Sequence, residues 1–517
     1  MTDLFSMPLE VLLQITSYLT TPDYGHLRGT CKQLEALLFR AFSREFFSKR
    51  QFALVEFSIQ TLVDIAKSRL GPSLTHLIIH VEHPYFNPVS LGFRFGPMHR
   101  SPRGPPEINR LHAECINHTG FVTTGLDAEM LSDALKHLPN LETIGMRDFR
   151  SESRHRDDTT WNSYGCPTFV AAIGTGHCLQ IPIGKQDHGP EYVSHVFLTI
   201  LRAIGNAALS GGNPELTRIE VLLRYCQFPD HSFKIPTRFD SAVSMALSKL
   251  KTLLLEGLTQ EGTHLFAVDD GNGKEIGGSG YFLSRFLPKA SGLEHLRLNF
   301  RLYQRAATER VLLWLAGKRD DPADVAENPS GLLTFVDGSL PPHFPPAPKF
   351  PNLQHLEIGM ATVTESVLLA LYQNYASTLR GISLHKVTLE GKASSNINLW
   401  TRLCSKMARA NLEINRLRLS YMRQKSLDHY ALGTGQVTFQ GSKNEFVRSW
   451  AGSAFSQAIK DINGEMKLSW DGDNSNEDDD DLMDDEDDDE DEDEDDDDDD
   501  EGGGEEYDST STEELTI

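Results

Sequence analysis

The chain has 517 residues, more than one hydrophobic core usually serves, and 39% of them are hydrophobic, enough to fill a sizeable interior. Its formal charge of -25 is unevenly spread: 30 of the 74 Asp and Glu lie in residues 471–517, which hold no Lys or Arg, so residues 1–470 carry 44 acids against 49 bases. That polarity excludes direct nucleic-acid binding by the terminal segment. No run of about 18 uncharged apolar residues offers a membrane span, and six scattered cysteines form no disulfide framework, so a cytoplasmic and/or nuclear location is the expectation.

The first elements come quickly. Pro8 suits a first helical turn, and Leu12, Ile15 and Leu19 recur at helical spacing, so a helix runs to about Leu19. Thr21 reads as the N-cap of a second short helix, which Pro22 opens and which runs through Leu27, with Gly29 ending it. Thr30 and Gln33 read as a capping box for a third, whose apolar positions are Cys31, Leu34, Leu37, Leu38 and Phe42. Three helices in about forty residues cannot cover all their apolar surface alone, so a partner or the rest of the chain must.

This stretch, Met7-Pro8-Leu9-Glu10 followed by Val11, Leu12, Ile15 and Leu19 and then by Leu27-Arg28-Gly29-Thr30-Cys31-Lys32 and Leu34, resembles the F-box. Met7 stands for the usual Leu, and Glu35 falls where an aromatic often stands. The resemblance implies binding to the Skp-type adaptor and, through it, to the cullin of a ubiquitin ligase. Carried over by position, the contact would be Met7, Pro8, Leu9, Leu12, Ile15, Leu19, Leu27, Cys31 and Leu34.

Further along, an L-x-x-L-x-L pattern with Ile, Val or Met substitutions appears at Leu74-Leu77-Ile79, Leu141-Ile144-Met146, Leu216-Ile219-Val221, Leu250-Leu253-Leu255, Leu293-Leu296-Leu298, Leu353-Leu356-Ile358, Leu379-Ile382-Leu384 and Ile414-Leu417-Leu419. Each copy ends in the alternation of a half-buried strand, and helical patterns lie between copies, the clearest with Val367, Leu368, Leu371 and Tyr375. The spacing resembles a degenerate leucine-rich-repeat array with insertions, which implies a parallel sheet and a target-binding face. Residues pointing outward from those strands would be His76, Arg218, Lys251, His295, Arg297, His355 and Arg418, a mildly basic surface suited to an acidic or phosphorylated protein. Residues 83–110 and 319–350 read as loops rich in Pro.

Chemical motifs are sparse. The glycine-rich stretch 269–280 departs from G-x-G-x-x-G and shows no clear helix after it, so it reads as a flexible loop. His112, Cys115 and His118 lack the tight paired spacing of a structural zinc site. No metal or cofactor and no catalytic residue is expected. Residues 471–517 repel themselves and should be disordered, with a basic protein such as a histone as a possible ligand. The expected organisation is α/β: a three-helix F-box at 1–48, an irregular leucine-rich-repeat-like solenoid at 49–435, a capping segment at 436–470 and the disordered acidic tail. The expected function is a non-catalytic substrate-recognition subunit, with a non-ligase interaction protein as the alternative.

Overall fold

The computed structural model describes residues 7–85, 106–149, 162–174, 179–181, 189–212, 216–259, 280–301, 305–317, 345–392, 397–410, 412–427, 433–450 and 455–470. The acidic tail, most of both Pro-rich stretches and the glycine-rich stretch up to 279 therefore lie outside the described residues. The described residues together form one compact unit.

Helices α1 (Leu9–Ser17), α2 (Thr21–Gly29) and α3 (Lys32–Phe47) open the chain, and β1 (Lys49–Ala53) follows α3 almost at once. Two caps differ from expectation. Thr20 rather than Thr21 caps α2, its hydroxyl accepting from the Asp23 N–H at 3.3 Å. Cys31 rather than Thr30 caps α3, its Sγ accepting from the Leu34 N–H at 3.5 Å, while the Thr30 hydroxyl donates back to the Leu27 carbonyl. The extended backbone of Cys31 is what makes it the half-helical residue.

The remaining strands are β2 (His76–His80), β3 (His83–Pro84), β4 (Thr143–Arg147), β5 (Leu179–Gln180), β6 (Arg218–Leu222), β7 (Phe228–Pro229), β8 (Thr252–Thr259), β9 (His295–Phe300), β10 (His355–Gly359), β11 (Thr362–Val363), β12 (Gly381–His385), β13 (Thr388–Gly391), β14 (Arg416–Ser420), β15 (Met422–Ser426), β16 (Thr434–Thr438), β17 (Glu445–Ser449) and β18 (Lys467–Trp470). The first apolar residue of each of the eight hexamers lies two residues before a strand, and the last two lie on strands of one sheet ordered β1-β2-β4-β6-β8-β9-β10-β12-β14-β17. It is parallel as far as β14, and β17 closes it antiparallel.

The register places like on like. Leu77, Ile144, Ile219, Leu253, Leu296, Leu356, Ile382 and Leu417 form one inward row, and Ile79, Met146, Val221, Leu255, Leu298, Ile358, Leu384 and Leu419 the next. Both rows are buried against helices that follow the strands, so one continuous core runs from Leu12 to Ile462. Helix Gly189–Leu209, which holds Glu191 and Arg202 and so is no uncharged run, is long and apolar enough to cross a membrane by length and composition, yet Val193, Val196, Phe197, Ile200 and Ile204 bury it in this core.

A second sheet, β11-β13-β15-β16-β18, flanks the later strands. The chain turns from the large sheet into it through a left-handed residue each time: Met360 (φ 51), Lys386 (φ 50) and Tyr421 (φ 52). Their N–H groups bond in series to the carbonyls of His385, Ser420 and Asn444 at 2.8 to 2.9 Å, so each corner is held by the next unit. Gly257 (φ 75) forms the bulge of β8, where a Cβ would press on Leu223.

Two loop expectations are corrected. The stretch 83–110 contains β3 and the start of helix Pro106–Thr124, and a short helix, Tyr281–Phe286, does follow the glycine-rich segment. The Asp230 carboxylate accepts from the Phe282 and Leu283 N–H groups at the start of that helix.

Candidate functional site

Two surfaces carry the residues singled out in the sequence. The first is the outer face of the large sheet. Cross-strand register aligns Lys49, His76, Thr143, Arg218, Thr252, His295, His355 and Arg416 in one row, with Gly381 between the last two, and Glu220, Leu254, Arg297, Glu357, Ser383 and Arg418 in another. Lys251 stands just before β8 and pairs with Glu294 at 3.5 Å.

The expectation of a basic face is corrected here, because carboxylates occupy the same rows. Glu220 takes the Arg218 Nε at 2.6 Å, with His76 at 3.5 Å and Arg147 at 3.6 Å. Glu357 takes the His295 Nε2 at 2.5 Å and the Arg297 Nε at 2.8 Å, and Arg297 also reaches Glu256 at 3.1 Å. Arg418 pairs with Glu445 at 2.8 Å.

Burial changes the charges too. It pushes the His76 ring down to about 4, so this ring is neutral near pH 7. Burial also lowers His355, whose ring packs edge-on against His295 and fills the space a side chain at Gly381 would need. For Glu357 burial acts upward, but the His295 hydrogen bond and the Arg297 charge outweigh it and hold the carboxyl at about 2. Toward β1 the face is not a solvated strip, since Gln51, Ile78, His80, Arg147 and Leu254 are buried. The seven predicted cations are thus brought onto or beside one sheet, but mostly as members of ion pairs. The carboxylates were missed because an Asp or Glu far along the chain becomes a partner only through register.

The second surface belongs to α1–α3. Leu12, Tyr24, Leu34, Leu38 and Phe46 are buried between the helices, with Tyr24, Phe42 and Phe46 rings 4.8 to 5.9 Å apart. Arg28 lies over the Phe42 ring, 3.4 Å from its centre, and its Nη2 donates to Glu35 at 3.1 Å. Arg69, from the turn before β2, also pairs with Glu35 and lies over Phe39. The Arg69 hydrogen bond is the main cause of a lowered Glu35 pKa. Glu35 therefore ties α3 to α2 and to the body.

Residues 4–47 match the family model described as F-box-like. The chain carries an F-box-like domain. No curated protein gives a match to the sequence. An F-box-like domain implies a Skp-type adaptor as partner.

Within the F-box-like domain, the positions carried over from the resemblance divide. Pro8, Leu9 and Ile15 are exposed, while Met7, Leu19, Leu27 and Cys31 are half-buried. Leu12 and Leu34 are core, 2% and 3% exposed, so they hold helices together rather than face outward. Three apolar residues not in the predicted set are open to solvent: Val11, Tyr18 and Leu37, with Tyr18 82% exposed. Val11, Ile15 and Tyr18 follow an i, i+4, i+7 spacing, a stripe beside the buried Leu12 and Thr16. That signal was present in the sequence, but two overlapping stripes on one helix cannot be ranked without the fold.

Proposed function

We propose that the chain is a non-catalytic substrate-recognition subunit of a Skp-cullin-F-box ubiquitin ligase, working in the cytoplasm and/or nucleus. The observation that carries this reading is the solvent-exposed stripe of Val11, Ile15 and Tyr18, two on α1 and one just past its end, beside a face that Leu12 and Thr16 already bury in their own domain. Such a stripe has no folding role and offers the adaptor an apolar docking row. The strand–helix units that follow are read as degenerate leucine-rich repeats in a solenoid, a scaffold for a protein target.

On this reading the contribution to chemistry is positional: a target lysine is held near the charged conjugating enzyme, which raises its effective concentration. The test is capture of the Skp-type adaptor by the full chain. Wild type should retain it, and Ile15→Asp with Tyr18→Asp should release it while the melting temperature stays unchanged. Failure of wild type to capture the adaptor, or equal capture by the variant, rejects the reading.

A second reading rests on the 30 acidic residues of 471–517. The tail would attract basic proteins such as histones independently of any ligase. Deleting residues 471–517 should then abolish salt-sensitive binding to histones and leave adaptor capture intact.

A further inference from the structure

On the large sheet Arg218, Arg297 and Arg418 are held in ion pairs, whereas cations of the small sheet are not so paired among the described residues. Residues 380–470 carry 14 Lys and Arg against 6 Asp and Glu, whereas residues 1–379 carry 35 against 38, so the positive excess of the body is concentrated here. Strand β15 is where this excess reaches the surface in an ordered array. Met422, Gln424 and Ser426 point inward and are buried, whereas Arg423 and Lys425 point outward and are exposed.

The inward side is tightly held. Gln424 accepts from the Leu399 N–H at 2.8 Å and donates to the Ile397 carbonyl, and the Trp400 indole donates to the Arg423 carbonyl at 2.8 Å. These bonds fix the strand and leave its alternate side chains free to serve as a surface. Two strands away, exposed Lys467 on β18 projects from the same side, opposite Thr438.

Register surrounds the three cations with neutral hydrogen-bonding groups. Arg423 lies between Thr388 and Gln436, Gln436 opposite Ser469, and Lys425 opposite Thr434. Glu390 is the carboxylate in register with Lys425, but it is engaged by Arg305 at 2.5 Å. Among the described residues, neither Arg423, Lys425 nor Lys467 makes an ion pair.

We infer that this outer face of the small sheet, read by Arg423, Lys425 and Lys467, is a docking surface for an Asp/Glu-rich segment of the recognised protein. Cations two residues apart on a strand are spaced by about 7 Å, and neighbouring strands by about 5 Å, which matches the alternate side chains of an extended peptide. Thr, Ser and Gln around them can donate to carboxylate oxygens. A nucleic acid fits less well. Among the described residues the face presents no aromatic ring for a base to stack on, and three cations fall short of roughly six to ten phosphate contacts.

The inference rests on the target-binding reading above and places the contact on the small sheet rather than on the large one. The test titrates the full chain with a fluorescein-labelled Asp/Glu peptide, followed by anisotropy, beside a single-stranded DNA of equal charge. The peptide should bind, more weakly as salt rises. Combining R423E, K425E and K467E should weaken it roughly tenfold or more, the milder R423Q with K425Q should weaken it less, and R418E on the large sheet should leave it unchanged. Absence of wild-type binding, equal binding by the triple variant, or preference for the DNA overturns the proposal. Adaptor capture is measured on the same proteins: if capture fails while the peptide binds, the ligase reading falls and the surface stands, and the opposite pattern removes the surface alone.

Discussion

Glu357 on β10 and Arg297 on β9 meet across the sheet with Oε2 2.8 Å from Nε, and Arg297 is held at the same time by Glu256 on β8. Three strands separated by insertions are thereby tied by one guanidinium. Because Arg297 is mostly buried, loss of its main partner leaves a charge that water solvates poorly. Glu357→Gln should therefore cost about 2 kcal/mol in urea unfolding. A loss below about 0.5 kcal/mol would place the pair among ordinary surface ion pairs. The pH dependence has a defined sign. The Glu357 pKa is lowered from 4.5 to about 2 in the fold, so its contribution is complete above about 4.5 and is lost as pH falls toward 2.

The F-box-like domain separates folding from display on a single helix. Leu12→Ala removes a side chain 2% exposed and should destabilise by about 2 to 4 kcal/mol, whereas Ile15→Ala, on a side chain 40% exposed, should stay within about 0.5 kcal/mol. Chemical denaturation of the two variants side by side checks the contrast.

The left-handed corner at Met360 provides a backbone test. A β-branched residue at φ 51 crowds its own carbonyl, so Met360→Val should lose about 1 to 2 kcal/mol, while Met360→Gly should be tolerated at no more than a few tenths. Thermal melts of both variants distinguish corner strain from loss of the half-exposed Met side chain, which Val only partly removes.

His118, on helix Pro106–Thr124, sits within ring contact of His83 and Tyr192 and has neither ring nitrogen hydrogen-bonded. Burial and the nearby His83 and His195 push its pKa down to about 4, with Asp127 opposing. The unfolded chain thus takes up the proton first, and stability is full above pH 6.5 and declines as pH falls toward 4. His118→Phe should be near neutral at about pH 7.5 and should recover up to about 2 kcal/mol at about pH 5, read from urea midpoints. Equal effects at the two pH values would show that His118 does not carry the acid sensitivity.

Much of this molecule is legible in its sequence. Eight strands of the large sheet were marked by Leu, Ile, Val and Met at positions that must be buried together, because alternation along a strand and spacing along a helix are local consequences of backbone geometry. The same logic marked the three N-terminal helices, including Met7-Pro8-Leu9-Glu10. Strand β1 and the small sheet escaped notice, being short and lacking the hexamer.

Which side chain finds which partner is settled by long-range packing. The sequence shows His295 and Arg297 as cations on a strand face, but Glu357 and Glu256 pair with them, and that pairing exists only once strands come into register. Likewise Leu12 and Ile15 are equivalent members of one apolar periodicity until α3 covers the first and leaves the second open. Local pattern determines the element and its two faces; the long-range packing of those faces determines which apolar side chain is core, which is surface, and which cation remains free to bind.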